Sequence, residues 1–357
     1  MPVLRIAMIG AGAIADYAVG SILNHPDALI TAVHDTSAER AHALAIKVGK
    51  TSTAGVPTVH GTTAALVADA NVDAVYIAVP NKFHAALAIE ALNAGKHVLL
   101  DKPFALNLTE AKAVAAAAKA SGKLLMLGMN QRFNHDSQKI RALVEAGAFG
   151  DIYHAKACWF RRSGIPRLGT WFGNKELAGG GCTLDIGVHM LDLAMFITDR
   201  FDPVAVMGAT YTKFGNRGLG EGGWGKSDRQ GLPFDVDDFS TGLIRFANGM
   251  TMSLDVSWAC HTDVGNRNDV TIFGTEAGAG AYPARLFKPS PEGHYQVIEG
   301  PTAPLKWEKG CRFYHFIDAA LGRAEPGVTI AQALAVQAVL DGLYQSSATG
   351  REVAITL

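Results

Sequence analysis

The stretch Ile6-Ala7-Met8-Ile9-Gly10-Ala11-Gly12-Ala13-Ile14-Ala15 joins an apolar, strand-like run to a glycine-rich turn and the start of a helix. Gly10 permits the tight turn, and Gly12 lets the backbone approach a pyrophosphate that the free amides of a helix N-terminus can hold. Ala15 is small enough for close helix–strand packing. This context predicts dinucleotide binding in preference to a plain structural turn. The predicted contacts are Gly10, Gly12, Ala13 and Ile14.

An acidic residue stands at the end of the second predicted strand, twenty residues after this motif. Asp35 can accept both ribose hydroxyls of an adenosine and would repel a 2′-phosphate, which favours NAD over NADP. Thr36 and Arg40 are further predicted cofactor contacts, and NADP stays possible because Ser37 and Arg40 can tolerate a phosphate. The alternative is that Asp35 only caps the helix that follows.

Length and composition narrow the class of protein. At 357 residues the chain is too long for one ordinary core, so we expect two domains. A formal net charge of -1 with 18% charged residues gives no electrostatic case for nucleic acid or a membrane surface. No apolar run reaches the roughly 18–20 residues of a membrane span, and the first strand starts too early for a signal peptide. Cys158, Cys182, Cys260 and Cys311 are far apart, which indicates reduced thiols in a cytoplasmic protein.

The first 128 residues alternate strand and helix signals. Predicted strands are Leu4–Ile9, Leu29–His34, Ala74–Val79, His97–Leu100 and Leu124–Leu127. Predicted helices are Ile14–Leu23, Ala38–Val48, His84–Asn93 and Thr109–Ala120. Short apolar strands separated by such helices indicate a parallel sheet covered on both faces. We therefore expect an α/β fold whose residues 1–128 form a doubly wound Rossmann domain that binds NAD(P).

From residue 129 to residue 357 the pattern changes to helices followed by consecutive strands. The predicted elements are helices Asp136–Ala146, Asp185–Phe196 and Ile330–Ser347, and strands Val204–Lys213, Phe239–Phe246, Thr251–Trp258 and Asp269–Phe273, with a hairpin at Asn248-Gly249. We expect an α+β domain with a large, mostly antiparallel open sheet for substrate binding and oligomerisation. Residues 214–234 carry seven glycines and form either a mobile lid or contact arm, or a simple surface loop.

Two segments end at the carboxyl edge of the predicted parallel sheet, where ligands bind in such folds. After Val79, the proline at position 80 lacks a ladder donor, which suits a strand that stops and turns. Pro80, Asn81 and His84 are predicted to contact the cofactor, although Asn81 and His84 are equally explained as caps of the next helix.

Asp101-Lys102-Pro103 ends the following strand at the same edge. A lysine over a nicotinamide can donate to a substrate hydroxyl oxygen and support the loss of its proton, because lysine pKa values fall readily on desolvation. We predict that Lys102 contacts both the cofactor and the substrate. The alternative is a solvated turn without chemistry.

A triglycine precedes a helix that carries charge on one face. Asp185, His189 and Asp192 have the spacing i, i+4 and i+7, and apolar residues surround them. Buried charges need partners, so function is favoured. His189 suits proton transfer at neutral pH, and Asp185 can orient it. The alternatives are a satisfied core Asp–His pair and a metal site, and no other histidine or cysteine at ligand spacing supports a metal.

These motifs, taken in order, resemble the glucose–fructose oxidoreductase / inositol dehydrogenase (Gfo/Idh/MocA) family over nearly the whole chain. The matching segments are Gly10–Ala15, Val72–His84, Ala94–Pro103 and Gly179–Asp192. The resemblance implies a hydride-transferring enzyme on cyclic polyols and sugars. It also implies that the lysine of the E-K-P motif corresponds to Lys102, and the family's Asp and His to Asp185 and His189. The acid of that motif is Asp101 here, one methylene shorter, so its role is open.

The resemblance extends to the substrate side of the chain. Residues 159–166 and 169–172 are similar to a sugar-directed branch of the family, and family members pair through the open face of the second sheet, which implies a dimer or tetramer. Candidate substrate contacts are Asn130, Arg132, Arg161 and Trp171. Arg161 and Trp171 are equally explained as sheet-face or core residues.

We therefore expect an NAD-dependent dehydrogenase acting on a secondary hydroxyl of a sugar, anhydrosugar or cyclitol, bound between the domains over the nicotinamide. Either His189, oriented by Asp185, or Lys102 takes the hydroxyl proton. One alternative is a glycoside hydrolase that oxidises its sugar transiently with tightly held NAD. Another is a non-catalytic NAD-binding sensor, which would have no use for Lys102, Asp185 and His189 together.

Overall fold

A computed structural model describes residues 2–223 and 229–357 of the chain, which form two compact units. Unit 1 contains residues 2–128 together with 311–333, and unit 2 contains the described residues of 129–310 together with 334–357. The chain therefore returns to its first unit late in the sequence. Our division at residue 128 places that returning segment with the second domain, because nothing in its composition marks it.

A parallel sheet forms the centre of unit 1. Its strands are β1 (Leu4–Ile9), β2 (Ala28–His34), β3 (Thr58–Val59), β4 (Ala74–Ile77), β5 (His97–Leu100) and β6 (Leu125–Leu127). Their order is β3-β2-β1-β4-β5-β6, which is the order of doubly wound dinucleotide-binding folds. The chain leaves β1 and β4 toward opposite sides of the sheet, so the ligand-binding switch point lies between them. The expected fold class is confirmed, although we did not predict the two-residue strand β3.

Alanine-rich helices cover this sheet. They are α1 (Ala13–Leu23), α2 (Ala38–Gly49), α3 (Thr63–Ala68), α4 (His84–Asn93) and α5 (Leu108–Ser121). Local capping fixes their ends: the Asn107 side chain accepts from the Glu110 amide at the start of α5, and Gly122 ends it with φ 66°.

The returning segment adds helix α9 (Arg312–Ala320) to unit 1. Polar contacts hold it near the end of α1: His25 Nε2 lies 3.3 Å from Asp318 Oδ1, and Arg323 Nη1 donates to Asp27 Oδ2 at 2.6 Å. These contacts pack α9 beside α1 within unit 1.

A second sheet forms the base of unit 2. Its strands are β7 (Ile152–Arg161), β8 (Pro203–Tyr211), β9 (Phe239–Phe246), β10 (Thr251–Ser257), β11 (Asn266–Gly274), β12 (Gly278–Ala281), β13 (Ala284–Pro289), β14 (Tyr295–Glu299) and β15 (Val353–Ala354). The order is β14-β13-β12-β11-β7-β10-β9-β8-β15 in the described residues. Only β7 and β10 pair in parallel among these strands, so the expected mostly antiparallel sheet is confirmed. We did not predict β7 or β12–β14.

One face of this sheet is covered by helices. They are α6 (His135–Glu145), α8 (Val188–Thr198), which continues a π-helical turn at Thr183–Gly187, and most of α10 (Ile330–Thr349). The four-residue α7 (Lys175–Ala178) packs on the 3-10 helix Trp171–Gly173. Buried positions alternate along most of β10 and around Ala155 and Ala157 of β7, as a half-covered sheet requires. The segment Lys175–Thr198 is long and apolar enough to cross a membrane, but 94% of its most apolar window is buried inside the structure. It is thus a core segment.

The glycine-rich loop at 214–234 is fastened to its own unit where it is described. The Gly164 amide donates to the Gly220 carbonyl at 3.0 Å, and the Leu168 amide donates to Glu221 Oε2 at 2.7 Å. Near the loop's end, the Phe234 ring packs on Gly173 so closely that a Cβ there would lie 2.7 Å from it. Both ends are therefore anchored to residues 164–173; positions 224–228 lie outside the described residues.

Candidate functional site

The turn between β1 and α1 has the backbone geometry that a dinucleotide needs. Gly10 has φ 96°, and a Cβ there would lie 2.3 Å from the Ala78 carbonyl oxygen, so only glycine fits. A Cβ on Gly12 would meet nothing within 4 Å, and Gly12 provides no side-chain cap for α1. Ala13 and Ile14 are exposed in the first helical turn. The first amides of α1 are therefore suited to a phosphate group.

Asp35 is fixed at the end of β2, close to this turn. Its Oδ2 accepts the Ala11 amide at 2.8 Å, and its Oδ1 accepts the Ser37 amide at 2.8 Å and Arg40 Nη2 at 2.9 Å. Burial raises the pKa of Asp35, but the two amides and Arg40 outweigh it and hold the pKa below its ordinary value. An ionised carboxylate is what ribose hydroxyls bind. Thr36 is exposed beside it.

The N-cap of α2 is Ser37 and not Asp35, which we had considered for this role. The Ser37 side chain accepts from the Arg40 amide at 3.3 Å. Asp35 is therefore not the cap of α2: its carboxylate binds the glycine-rich turn, the amide of the N-cap residue and the Arg40 side chain.

Three predicted cofactor contacts, Pro80, Asn81 and His84, follow the end of β4. Pro80 and Asn81 lead into a short 3-10 helix, Asn81–Phe83, at the switch-point edge. His84 is only 1% exposed, with Nδ1 2.8 Å from the Pro103 carbonyl oxygen and Nε2 3.1 Å from the Val79 carbonyl oxygen. Burial lowers the pKa of His84. His84 is therefore a buried link between the ends of β4 and β5, which corrects its predicted cofactor contact and its capping alternative.

Lys102 follows β5 at the same edge and is partly exposed. The neighbouring Asp101 is buried: it accepts from the Lys102 amide at 3.0 Å, from the Tyr76 hydroxyl at 2.9 Å and from Arg312 Nη1 at 3.1 Å. Burial raises the pKa of Asp101, but the charge of Arg312 and these donors hold it below its ordinary value. Arg312 comes from α9 and carried no signal in the sequence, because its partner is 211 positions away.

In unit 2, Asp185 lies in the π-helical turn that precedes α8 and is 9% exposed. Its Oδ2 accepts the indole Nε1–H of Trp258 at 2.8 Å. A Cβ on Gly187 would lie 3.3 Å from Val256, so this turn sits directly on β10. π-helical turns are rare in general and occur frequently at functional sites.

Asp237 binds the backbone of the triglycine segment that precedes this turn. The Asp237 carboxylate accepts the amides of Gly181 and Thr183 at 2.7 and 2.9 Å and the Tyr344 hydroxyl at 2.7 Å. A Cβ on Gly181 would lie 1.8 Å from the Asp237 carbonyl oxygen, and one on Gly180 would lie 2.0 Å from the Tyr344 hydroxyl. The glycines are therefore required by close packing, and sequence reasoning did not identify Asp237.

His189 and Arg161 meet around one aromatic ring. The His189 and Trp159 ring centroids are 6.3 Å apart, and the Arg161 guanidinium lies 4.6 Å from the Trp159 ring. The Trp159 indole donates to Asn266 Oδ1 at 2.8 Å. Burial lowers the pKa of Arg161, and the charge of Asp185 partly opposes that shift. The structure thus brings the predicted residues Arg161, Asp185 and His189 into one cluster of unit 2.

The other predicted substrate contacts have different settings. Asn130 is exposed in the short 3-10 helix Asn130–Phe133, and Trp171 stacks on Phe172 with centroids 3.8 Å apart. Arg132 is 0% exposed and forms a bidentate pair with Asp192, with N–O distances of 2.8 and 2.5 Å. We therefore correct the predicted role of Arg132: it is a core ion pair, and it neutralises the third charge of the Asp185 helix.

Together these groups have a defined chemistry. Unit 1 offers free helix amides, an ionised carboxylate and a lysine at the carboxyl edge of its sheet. Unit 2 offers a carboxylate and an imidazole on one segment, beside a guanidinium. Among the described residues, no group of three or more histidine, cysteine or acidic side chains has metal-site geometry. Such a set suits dinucleotide binding and proton transfer.

Comparison with known proteins gives matches along the chain. Residues 4–129 match the model described as an oxidoreductase family with an NAD-binding Rossmann fold (GFO_IDH_MocA), and residues 137–279 match the GFO/IDH/MocA C-terminal domain. D-glucoside 3-dehydrogenase of Escherichia coli (strain K12) is 32% identical over 98% of this chain and 97% of its own length.

Solved structures share the same architecture. An oxidoreductase domain protein from Kribbella flavida has a TM-score of 0.81 at 26% identity, covering all of both chains. Levoglucosan dehydrogenase in complex with NADH and levoglucosan has a TM-score of 0.80 at 22% identity, covering 99% of this chain and 100% of its own. The first is related in sequence as well; the second supports the fold.

Proposed function

Because the chain belongs to the GFO/IDH/MocA oxidoreductase family, we propose that it is an NAD-dependent dehydrogenase that oxidises a secondary hydroxyl group of a sugar. Family membership confirms the resemblance drawn from the motifs and makes the chain an oxidoreductase with NAD as its cofactor. The observation that carries the proposed reaction is the placement of Asp185 and His189 on one buried segment beside Arg161. The similarity to D-glucoside 3-dehydrogenase of Escherichia coli supports the substrate class.

Unit 1 fits NAD through features of its own backbone. The uncovered amides at the start of α1 would hold the pyrophosphate, and Gly12 leaves room for it. Asp35 would bind the adenosine ribose, and its negative charge disfavours the 2′-phosphate of NADP. Bound NAD supplies the hydride acceptor of the reaction.

The chain's own residues would manage the proton. As a secondary alcohol becomes a ketone, its carbon loses a hydride and its hydroxyl loses a proton. We assign the proton to His189, with Asp185 stabilising the charged imidazole, and we assign Lys102 to the hydroxyl oxygen. Holding the reactants in attack geometry can lower the activation free energy by on the order of 7–11 kcal/mol. Proton transfer by a positioned side chain raises the rate by about 10²–10⁴-fold, which is the smaller of the two effects.

The proposal is tested by following NADH absorbance with NAD and a panel of glucosides, free sugars, anhydrosugars and cyclitols. We expect at least one of them to give NADH in a one-to-one ratio with the ketone product. Hydrolysis of a glycoside without net NADH, or NAD binding with no turnover of any member of the panel, would contradict the proposal.

We also propose that the enzyme is a homo-oligomer paired through the open face of the unit 2 sheet. Helices cover the other face, whereas Met207, Tyr211 and Leu243 remain 54%, 43% and 40% exposed on the neighbouring strands β8 and β9. Exposed apolar residues in adjacent positions favour association with a matching surface, and a second copy offers the same surface.

A further inference from the structure

We infer that Trp258 is a positioning residue for the Asp185 carboxylate, an inference that rests on the proposed function. The Trp258 indole donates to Asp185 Oδ2 at 2.8 Å, and Trp258 is 0% exposed. A buried indole N–H needs an acceptor, and a carboxylate is a strong one. The bond therefore directs one oxygen of Asp185 toward β10.

Trp258 can serve this purpose because hydrogen bonds hold its backbone and an aromatic contact holds its ring. Its amide donates to the Asp238 carbonyl oxygen at 2.9 Å, directly after β10 ends. The Phe234 ring meets its indole edge-on, with centroids 6.5 Å apart. The adjacent Ser257 hydroxyl donates to the same Asp238 carbonyl at 3.2 Å. The indole therefore has little freedom to turn away from Asp185.

The backbone that carries Asp185 is fixed from the same place. The Cys182 amide donates to the Asp237 carbonyl at 2.9 Å, and the Asp237 carboxylate accepts the Gly181 and Thr183 amides. Residues 237 and 238 thus hold the start of the π-helical turn with one peptide unit and Trp258 with the next. The backbone of Asp185 and the donor to its side chain share one anchor.

This arrangement defines the surroundings of the carboxylate. The neutral donor Trp258 lies on one side, and the charge of Arg161 acts on Asp185 from β7. Catalysis by a positioned group depends on its being held before the substrate arrives. Trp258 then acts on the reaction through Asp185 and touches neither substrate nor NAD.

The Trp258→Phe variant removes the indole donor and keeps an aromatic ring in the core. Hydrogen bonds to charged groups have effects equivalent to roughly 10- to 100-fold in rate, so we expect kcat to fall by about that factor. We expect KM for the sugar and Kd for NAD to change by less than about twofold. The primary deuterium isotope effect on kcat should rise, because hydride transfer becomes slower relative to product release.

A double-mutant cycle separates positioning from general damage. If Trp258 acts through Asp185, Trp258→Phe has almost no further effect on kcat in the Asp185→Asn background. The matched control is Trp307→Phe, a second tryptophan of unit 2 that stacks on Phe196, whose effect on kcat should be the same in both backgrounds. Additive effects for Trp258→Phe and Asp185→Asn would overturn the inference.

A readout that needs no turnover keeps this inference separate from the proposed function. In ¹⁵N-labelled enzyme, the Trp258 indole resonance should move in Asp185→Leu and stay in place in His154→Ala. An unmoved resonance would overturn the inference. If no sugar reduces NAD, the proposed function fails, and the indole resonance still decides whether the Trp258–Asp185 bond exists.

Discussion

Arg312 and Asp101, 211 positions apart in the chain, form a buried ion pair in which Nη1 lies 3.1 Å from Oδ1. The same guanidinium group donates to the Gly128 carbonyl at 2.5 Å. One side chain of α9 therefore fastens the segment after β5 and the segment after β6. Lys102 is the next residue after Asp101, so the ion pair determines where its backbone lies.

The Asp101→Asn variant should be strongly destabilised, because it leaves the Arg312 guanidinium buried without its counter-charge. Breaking one side of a buried pair costs about 3–5 kcal/mol. The exposed pair of Asp16 with Lys47 offers the matched control, and Asp16→Asn should cost less than about 1 kcal/mol. Urea unfolding at neutral pH measures both, and equal losses in the two variants would contradict the assignment.

The pH dependence of unfolding in the same variant tests whether the stabilisation by Asp101 is electrostatic. The pKa of Asp101 is held below its ordinary value in the folded chain. Its contribution to stability is therefore present above the unfolded pKa of about 4 and is lost as pH falls through the folded value. The difference in unfolding free energy between wild type and Asp101→Asn should narrow from neutral pH to about pH 3. A difference independent of pH would show that packing, not charge, is lost.

Local sequence signals were sufficient for most of unit 1. Residues close together in the sequence determine the β1 strand, the Gly10–Gly12 turn and the caps of α5. These features could therefore be predicted from the sequence alone. The spacing of Asp185 and His189 was informative for the same reason.

Residues whose partners are distant could not be assigned in this way. Arg132 is a residue type that often contacts ligands, and the sequence therefore predicted such a contact. Its partner Asp192, 60 positions away, makes it a core residue instead. The sequence predicts Trp258 only as the last residue of a strand. Its contact with Asp185, 73 positions away, is visible only in the structure. His84 likewise gains its structural role only from the Pro103 carbonyl. Burial, which decides these roles, is a property of the folded chain.

The variants His189→Ala and Lys102→Ala should each lower kcat by about 10²–10⁴-fold, because each removes a group that we assign to proton transfer or to the hydroxyl oxygen. Kd for NAD, measured by fluorescence titration, should stay nearly constant for His189→Ala. His154→Ala on the open face of β7 is the control and should retain normal turnover. Near-normal kcat in both test variants would rule out the assigned chemistry.

The variant Asp35→Ser should reduce the preference for NAD over NADP by roughly 10- to 100-fold in kcat/KM, a ratio equivalent to about 1.4–2.7 kcal/mol. It removes the negative charge and releases Arg40, whose Nη2 now lies 2.9 Å from the carboxylate, to meet a 2′-phosphate. Asp16→Ser removes a negative charge from α1 and should leave the ratio unchanged. The prediction fails if Asp35→Ser keeps the wild-type ratio.

Charges introduced on the open face of the unit 2 sheet should separate the proposed oligomer. Met207 and Leu243 are cross-strand partners on β8 and β9, so Met207→Glu with Leu243→Glu places like charges at the centre of the proposed contact. Light scattering after size exclusion should report a smaller species with unchanged helix and strand content. Val297→Glu, on the distant β14, is the control. A wild-type monomer would exclude the proposed interface outright.

The two glycines of the dinucleotide turn should respond differently to alanine. In Gly10→Ala the new Cβ meets the Ala78 carbonyl at 2.3 Å, and φ of 96° is unfavourable for any side chain, so both thermal stability and NAD affinity should fall. In Gly12→Ala the Cβ meets nothing within 4 Å, so stability should be retained while the methyl group obstructs the pyrophosphate and weakens NAD binding by about tenfold or more. Melting temperature without cofactor and NAD titration by calorimetry separate the two effects. Unchanged NAD affinity in Gly12→Ala would mean that the pyrophosphate does not approach the chain at this turn, and the cofactor assignment of α1 would have to be abandoned.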